Sequence, residues 1–279
     1  MSGILGRVGG LPLLPAAIEQ LERLNGGPLD TADRATRILL VSTATPLSAD
    51  DLAEYPSLTH LALCGTSFGR IDTAALAARG VTTSYVTDYG DHPAAEVVFM
   101  HLVALTRGYG PYQWRSDSHE LAGRTLTIVG LGALGAAMAR LGLAYRMRVT
   151  HLSRSAKPEW ESQGVRRIDR ESLTDTDIVI LTGPTNVAVL HQEDFDRLDG
   201  AIVVQASLGR VMDDTAFRGW IAREQNHAVF DLSAGEDLYA DYAAAPRVIF
   251  PRIVAGTSFE ARERLGQRVV ANVTAALRG

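Results

Sequence analysis

Apolar and polar positions fall in blocks along nearly the whole chain, and the blocks switch period. Short apolar runs stand at 37–43, 58–63 and 81–86, separated by stretches with helical spacing, ADDLAEY (49–55) and TAALAAR (73–79). A longer helical pattern, HPAAEVVFMHLVALTR, fills 92–107, with Pro93 suited to its first turn. Further apolar runs follow at 124–130, 148–153, 176–182, 201–207, 227–233 and 247–251, and an amphipathic stretch at 258–278 closes the chain. Continuous apolar runs of this length are typical of strands buried on both faces. Their alternation with helical stretches predicts an α/β fold built on parallel sheets with helical crossovers.

One run leads directly into a glycine-rich turn. Gly130-Leu131-Gly132-Ala133-Leu134-Gly135 is a G-x-G-x-x-G that follows a strand and opens an alanine-rich helix. In such a turn Gly130 makes the tight bend, Gly132 lets the backbone approach a pyrophosphate, and Gly135 lets helix and strand pack closely. Ala133 and Leu134 stand at the helix amino terminus, where free N–H groups and the positive dipole end favour phosphate. The next strand ends in Ser153-Arg154-Ser155, where sites of this kind often carry an acid for the ribose hydroxyls. Two hydroxyls and a guanidinium suit a phosphate dianion instead, which favours NADP(H) with NAD(H) as the alternative. The competing reading of Arg154 is a solvated surface residue. The predicted division is a first domain at 1–90, a dinucleotide-binding domain at 91–255, and a terminal helix at 256–279 packed back on the first. The cleft between the two sheets is the expected site.

Composition narrows the function classes. With 279 residues, 46% of them hydrophobic and 21% charged, the chain suits a soluble protein with two cores. A net charge of −5 argues against a nucleic-acid partner, which would need a basic face. The longest apolar candidate, AAEVVFMHLVAL, contains Glu96 and His101, so no membrane span is expected. The start MSGILGRVGGLPLLP is too rich in Gly and Pro for a signal peptide. A single cysteine, Cys64, excludes an internal disulfide and fits a reducing cytoplasm. Lys157 is the only lysine, which nearly excludes Schiff-base chemistry. No Cys/His cluster has metal-ligand spacing, so no metal is expected, and no P-loop occurs.

The order and spacing of YGDHPAAE, LAGRTLTIVGLGALGAAMARLGLAYRMRV, DTDIVILTGPT, DRLDGAIVVQASLGRVMDDTAF, AVFDLSAGEDL and RVIFPRIVAGTS resemble the D-isomer-specific 2-hydroxyacid dehydrogenase family along almost the full length. The resemblance implies a Rossmann dinucleotide-binding domain plus a smaller flavodoxin-like α/β substrate domain. It also implies NAD or NADP and a homodimer formed through the cofactor domains. The SRS ending is similar to NADP-preferring glyoxylate and hydroxypyruvate reductases of that family. By the same resemblance Thr182, Gly183, Pro184 and Ser207 border the nicotinamide ribose, and Asp231 lies on the nicotinamide side. The loop holding Cys64, Gly65 and Thr66 would bind the substrate carboxylate through its backbone. Tyr109, Tyr112 and Trp114 would belong to a dimer arm.

Members of the family usually reduce a 2-oxo acid with an Arg that pins the substrate, a His that donates the proton and a Glu behind the His. Here QASLGRVMD puts Leu208 at the Arg position, Asp231 and Glu236 match D-x-x-x-x-E, and Pro251 is followed by Arg252 rather than His. The pattern is that of an atypical member lacking the usual catalytic Arg and His. Arg252 reads either as a clamp for an anionic small-molecule substrate or as an ion pair with Glu236, and the two are compatible. Arg210 reads as a partial substitute for the missing Arg or as a surface residue. His92, His101 and Tyr89 are the candidates for an alternative proton donor, and Cys64 reads as a small buried residue or a nucleophile. Three functions remain open: a reductase of an imine or activated carbonyl acid, a lyase or isomerase, and a non-catalytic cofactor-binding protein.

Overall fold

The computed structural model describes residues 4–278, which divide into two compact units. One runs to Gly90 and resumes at Thr257; the other is Asp91–Gly256.

In the first unit β1 (Leu5–Val8), β2 (Ile38–Ser42), β3 (His60–Cys64) and β4 (Thr82–Ser84) form a parallel sheet in that order. Thr31 adds one parallel bridge to Arg7 in β1. The sequence of pairings is therefore that of a flavodoxin-like sheet whose second strand is reduced to a single bridge. Successive side chains of β2 enter opposite cores, Ile38 and Leu40 on one face, Leu39 and Val41 on the other. That is why an unbroken apolar run was needed at 37–43. The hydrophobic pattern leaves the first 36 residues without an element, yet they hold β1 and the helix Pro15–Asn25. Gly6 and Arg7 dilute β1, and its place depends on Ala32 and Thr36 coming so close to Gly6 that a β-carbon there would sit 2.7 Å from each.

The second unit carries β5 (Thr125–Val129), β6 (Arg148–Leu152), β7 (Arg166–Arg167), β8 (Ile178–Leu181), β9 (Ile202–Gln205), β10 (His227–Phe230) and β11 (Val248–Ile249). All pair in parallel, in the order β11-β10-β9-β8-β5-β6-β7. The chain order reverses between β5 and β8, the topological switch point at which open α/β sheets bind ligands. The helices Asp91–Arg107 and Ala133–Ala144 pack together over one face, with Phe99, Leu102, Met138 and Ala139 against Leu126 and Ile128. The other face is rich in aromatics: Phe195, Phe217, Trp220, Phe230 and Tyr242 make edge and stacked contacts. The fold class is thus a four-stranded parallel domain joined to a seven-stranded Rossmann-like one. Among the described residues no helix is long and apolar enough to cross a membrane.

Candidate active site

The turn after β5 is built as its spacing demands. Gly130 has φ +97°, and a β-carbon there would lie 2.9 Å from the Thr182 carbonyl oxygen. At Gly135 it would lie 2.3 Å from the Gly130 carbonyl oxygen, so only glycine lets the helix Ala133–Ala144 sit this close to β5. Around Gly132, the residue before that helix, the corresponding space is empty. Crowding thus explains two of the glycines, and the third leaves room for an incoming phosphate group. Thr182 ties the neighbouring loop to the turn through its hydroxyl, which donates to the Gly130 carbonyl.

A groove of about 830 Å³ gathers these pieces. Gly130, Gly132, Ser153, Arg154, Ser155, Thr182, Gly183 and Pro184 all line it, so segments more than fifty residues apart in sequence meet at one end of the sheet. Leu134 is half-buried, Ala133 is exposed, and Ser207 is buried with its hydroxyl donating to Leu181 O at 3.0 Å. The groove's size and the open glycine edge fit the pyrophosphate and ribose parts of a dinucleotide. Lys157, Arg170 and Val187–Val189 also line it and escaped the sequence reading. Lys157 carried a signal as the lone lysine. Arg170 carried none: it braces the groove wall by donating to the Asp194 carboxylate and to Val189 O. A second groove, about 810 Å³, lies at the starts of β5, β6 and β7, away from the carboxyl ends where such sheets bind.

Asp231, at the end of β10, is committed to the backbone. Its two carboxylate oxygens accept from Ser233 N at 2.7 Å and Ala255 N at 2.5 Å, and Leu232 N donates to Ile253 O. These bonds staple the loop that carries Arg252 to the end of β10. Glu236 opens the helix Glu236–Tyr242. Arg252 Nη2 donates to both Glu236 carboxylate oxygens at 3.0 Å, and its guanidinium lies 5.2 Å from the Tyr239 ring centre. Both side chains are about two-thirds exposed. The ion pair therefore exists, and the remaining guanidinium donors meet no acceptor among the described residues. Leu208 is half-buried in the loop after β9.

Arg210 is committed to neighbouring carboxylates. Its guanidinium is held by Asp214 at 2.9 Å, Asp237 at 3.2 Å and Asp241 at 2.5 Å. Of the candidate proton carriers, His92 pairs with Glu96 at 3.2 Å on an exposed helix face. His101 is held below the usual imidazole range by burial, with the charge of Asp231 opposing. Trp114 is buried, with its indole N–H donating to Gly200 O at 2.8 Å.

In the first unit Cys64 and Gly65 are buried and Thr66 is exposed. Burial pushes the Cys64 thiol up to about 12, which leaves too little thiolate for a nucleophile. Gly65 has a packing reason, since a β-carbon there would lie 2.3 Å from Thr43 Cγ2. Among the described residues no group of His, Cys, Asp or Glu is placed to hold a metal.

Comparison with known proteins gives one consistent result. A family model described as D-isomer specific 2-hydroxyacid dehydrogenase, NAD binding domain, matches residues 99–252. The glyoxylate reductase of Pyrococcus furiosus is 27% identical over 253 residues, 80% of this chain and 74% of that one. The glycerate dehydrogenase of Methylorubrum extorquens is 27% identical over 288 residues, 94% of this chain and 86% of that one. A relative from Schizosaccharomyces pombe is matched over only 53% of its own length. Among solved structures, an acyclic imino acid reductase in complex with NADPH and D-Arg superposes with a TM-score of 0.81 at 19% identity, covering 98% of this chain and 97% of that one. At that identity the likeness concerns the fold. With the family model matched over more than half of its 279 residues, the chain belongs to the D-isomer specific 2-hydroxyacid dehydrogenase family.

Proposed function

We propose that the protein is an NADPH-preferring reductase whose substrate is a small anion bearing an imine or an already activated carbonyl, not an ordinary 2-oxo acid. The observation that carries this is the Arg252–Glu236 pair, 3.0 Å from nitrogen to each oxygen, standing where the family pattern expects His and Glu. A guanidinium stays charged near neutral pH and cannot serve as an acid there, but it clamps carboxylate or phosphate well. Glu236 then orients Arg252, and Arg252 binds the substrate's anionic group. Leu208 offers apolar contact where the pattern expects a second cation. NADPH, when bound, supplies the hydride. A protonated imine needs no general acid, so the loss of His costs such a reduction little. Where a proton is needed, His101 is the candidate carrier in this unit: burial favours its neutral form and the charge of Asp231 favours the protonated one. The imino acid reductase of the same fold supports the view that this scaffold accommodates imine chemistry. Ser153-Arg154-Ser155 lining one groove with the glycine turn supports the NADPH preference. The exposed Met100, Tyr109 and Tyr145 on the cofactor unit support a homodimer.

The test is NADPH oxidation with glyoxylate, hydroxypyruvate and pyruvate, each alone and each with an amine that forms the imine in place. Alone, the three acids are expected to turn over about a hundredfold or more slowly than their imines, the usual contribution of a general acid. Rapid turnover of the free acids by the wild type would overturn the reading. A Leu208→Arg/Arg252→His double variant should shift the preference back toward them.

A further inference from the structure

Behind Ser153 in the groove wall one buried side chain has no role in the function proposed above. His151, in β6, has no exposed surface, and its Nδ1 lies 2.6 Å from Ser153 Oγ. Its Nε2 is buried without a hydrogen-bond partner, the nearest carboxylate oxygen being Glu161 Oε1 at 3.7 Å. We infer that His151 is a positioning residue for the 2′-phosphate: it decides whether Ser153 can donate its proton to that group, and so makes the preference for NADP over NAD rise as pH falls. The inference rests on the reading that Ser153-Arg154-Ser155 receives the 2′-phosphate.

A neutral imidazole donates from one nitrogen and accepts at the other. With its proton on Nε2, the ring accepts the Ser153 O–H, and Ser153 turns only lone pairs toward the groove. That repels a phosphate oxygen. With its proton on Nδ1, the ring donates to Ser153 Oγ and frees the serine proton for the phosphate, but a bare Nε2 then faces Glu161. Only the imidazolium satisfies both sides, donating to Ser153 from Nδ1 and toward Glu161 from Nε2.

The charged groups that face the ring are Glu161 and Lys157 from one side and Arg167 from β7, which pairs with His151 in the sheet. Burial holds the imidazole below its usual range; Glu161 opposes this, while Arg167 and Lys157 reinforce it. A phosphate dianion on Ser153 adds negative charge one hydrogen bond away and favours the charged ring. The sign follows. The ring's pKa is higher in the complex than in the free protein, so binding takes up a proton. The gain in affinity is complete below the free-protein value and is lost as pH rises through the value in the complex.

Calorimetric titration in two buffers of different ionisation enthalpy reads the proton directly. The wild type should take up a proton on binding NADP⁺ and none on binding NAD⁺. In His151→Asn, whose amide still donates to Ser153 but cannot titrate, the NADP⁺ uptake should vanish. Between about pH 8 and about pH 6 the NADP⁺ affinity should rise three- to tenfold more, on the order of one hydrogen-bonded charge, in wild type than in the variant. Protonation of the phosphate itself, near pH ~6, affects both proteins alike. Should the variant fail to fold, the ring ¹⁵N shifts of His151 in the wild type decide: adenosine 2′-monophosphate should move them to imidazolium values, and a ring that stays neutral overturns the inference. Coincident pH profiles for wild type and variant, with NADP⁺ still preferred, overturn it while leaving the cofactor reading intact. Equal affinity for NADP⁺ and NAD⁺ in the wild type overturns both.

Discussion

At Gly135 a β-carbon would stand 2.3 Å from a backbone oxygen, and at Gly132 it would meet nothing within 4 Å. One motif therefore contains a packing glycine and an access glycine, and they should fail differently. Gly135→Ala forces β5 and its helix apart, so a loss of about 1–3 kcal/mol and a visibly lower Tm are expected. Gly132→Ala should barely move Tm, because its φ of −91° suits alanine, yet it should weaken NADPH binding by placing a methyl group against the pyrophosphate. Thermal melts and calorimetry on the two variants separate these effects, and a matched loss of stability in both would refute the distinction. Arg154, exposed on the same groove, should act on one cofactor only. Arg154→Ala is expected to weaken NADPH about tenfold to a hundredfold, the worth of one charge-assisted contact, and to leave NADH unchanged. Equal losses for both cofactors would return Arg154 to the solvated surface.

Short elements around the site combine a few buried side chains with ion pairs, and most are too short to announce themselves in the sequence. The long strand runs were legible because burial on both faces leaves an unbroken apolar string, as in β8 and β9. β7 is two arginines, visible only through their pairing with Thr150 and His151 of β6. The helices Gln192–Arg197 and Glu236–Tyr242 span two turns or fewer, too few for a period to show, whereas Asp214–Ile221 buries Ala216, Phe217, Trp220 and Ile221 at helical spacing. Helices Asp214–Ile221 and Glu236–Tyr242 are joined by Arg210, by Arg218 through Asp241, and by the Tyr242 hydroxyl, which donates to Asp214. For Asp214 burial acts upward, but the Tyr242 hydroxyl and Arg218 outweigh it and hold the carboxyl below its usual range. Because the folded value is depressed, this stabilisation is present above the ordinary carboxylate value of 3.8 and is lost as pH falls through the folded value. Asp214→Asn should therefore lower Tm by about 2–4 °C at neutral pH, from roughly 1 kcal/mol for a partly exposed cluster. Melts repeated near pH ~3 should show the gap between wild type and variant closing. A constant gap would mean that the carboxylate charge is not what joins these helices.

The chain leaves its first unit at Gly90, completes the second, and returns at Thr257, so its last helix belongs to the core it began. Helix Phe259–Arg278 packs on Pro15–Asn25 so closely that a β-carbon at Gly266 would lie 2.7 Å from Ala17 Cβ. Leu265, Val269 and Val273 share a core with Leu5, Leu21 and Ile38. The second unit closes its own cores without this helix, and it leaves Met100 and Tyr109 more than half exposed. If these exposed residues belong to the homodimer contact, light scattering should give twice the chain mass at micromolar concentration, and Met100→Glu with Tyr109→Glu should give the monomer. Removing the last helix tests the other dependence. All three tryptophans, Trp114, Trp160 and Trp220, are buried in the second unit, so tryptophan fluorescence reports that unit alone. A chain ending at Gly256 should lose most of the first unit's circular dichroism, because an open apolar face replaces Leu265, Val269 and Val273. Its fluorescence melt and its NADPH affinity should stay near those of the full chain, since the groove lining, Ser207 and Asp231 all belong to the second unit. Limited proteolysis should then cut first before residue 91. A fluorescence transition that collapses together with the circular dichroism would show instead that the two units unfold as one, and that the second cannot hold its cofactor turn without the first.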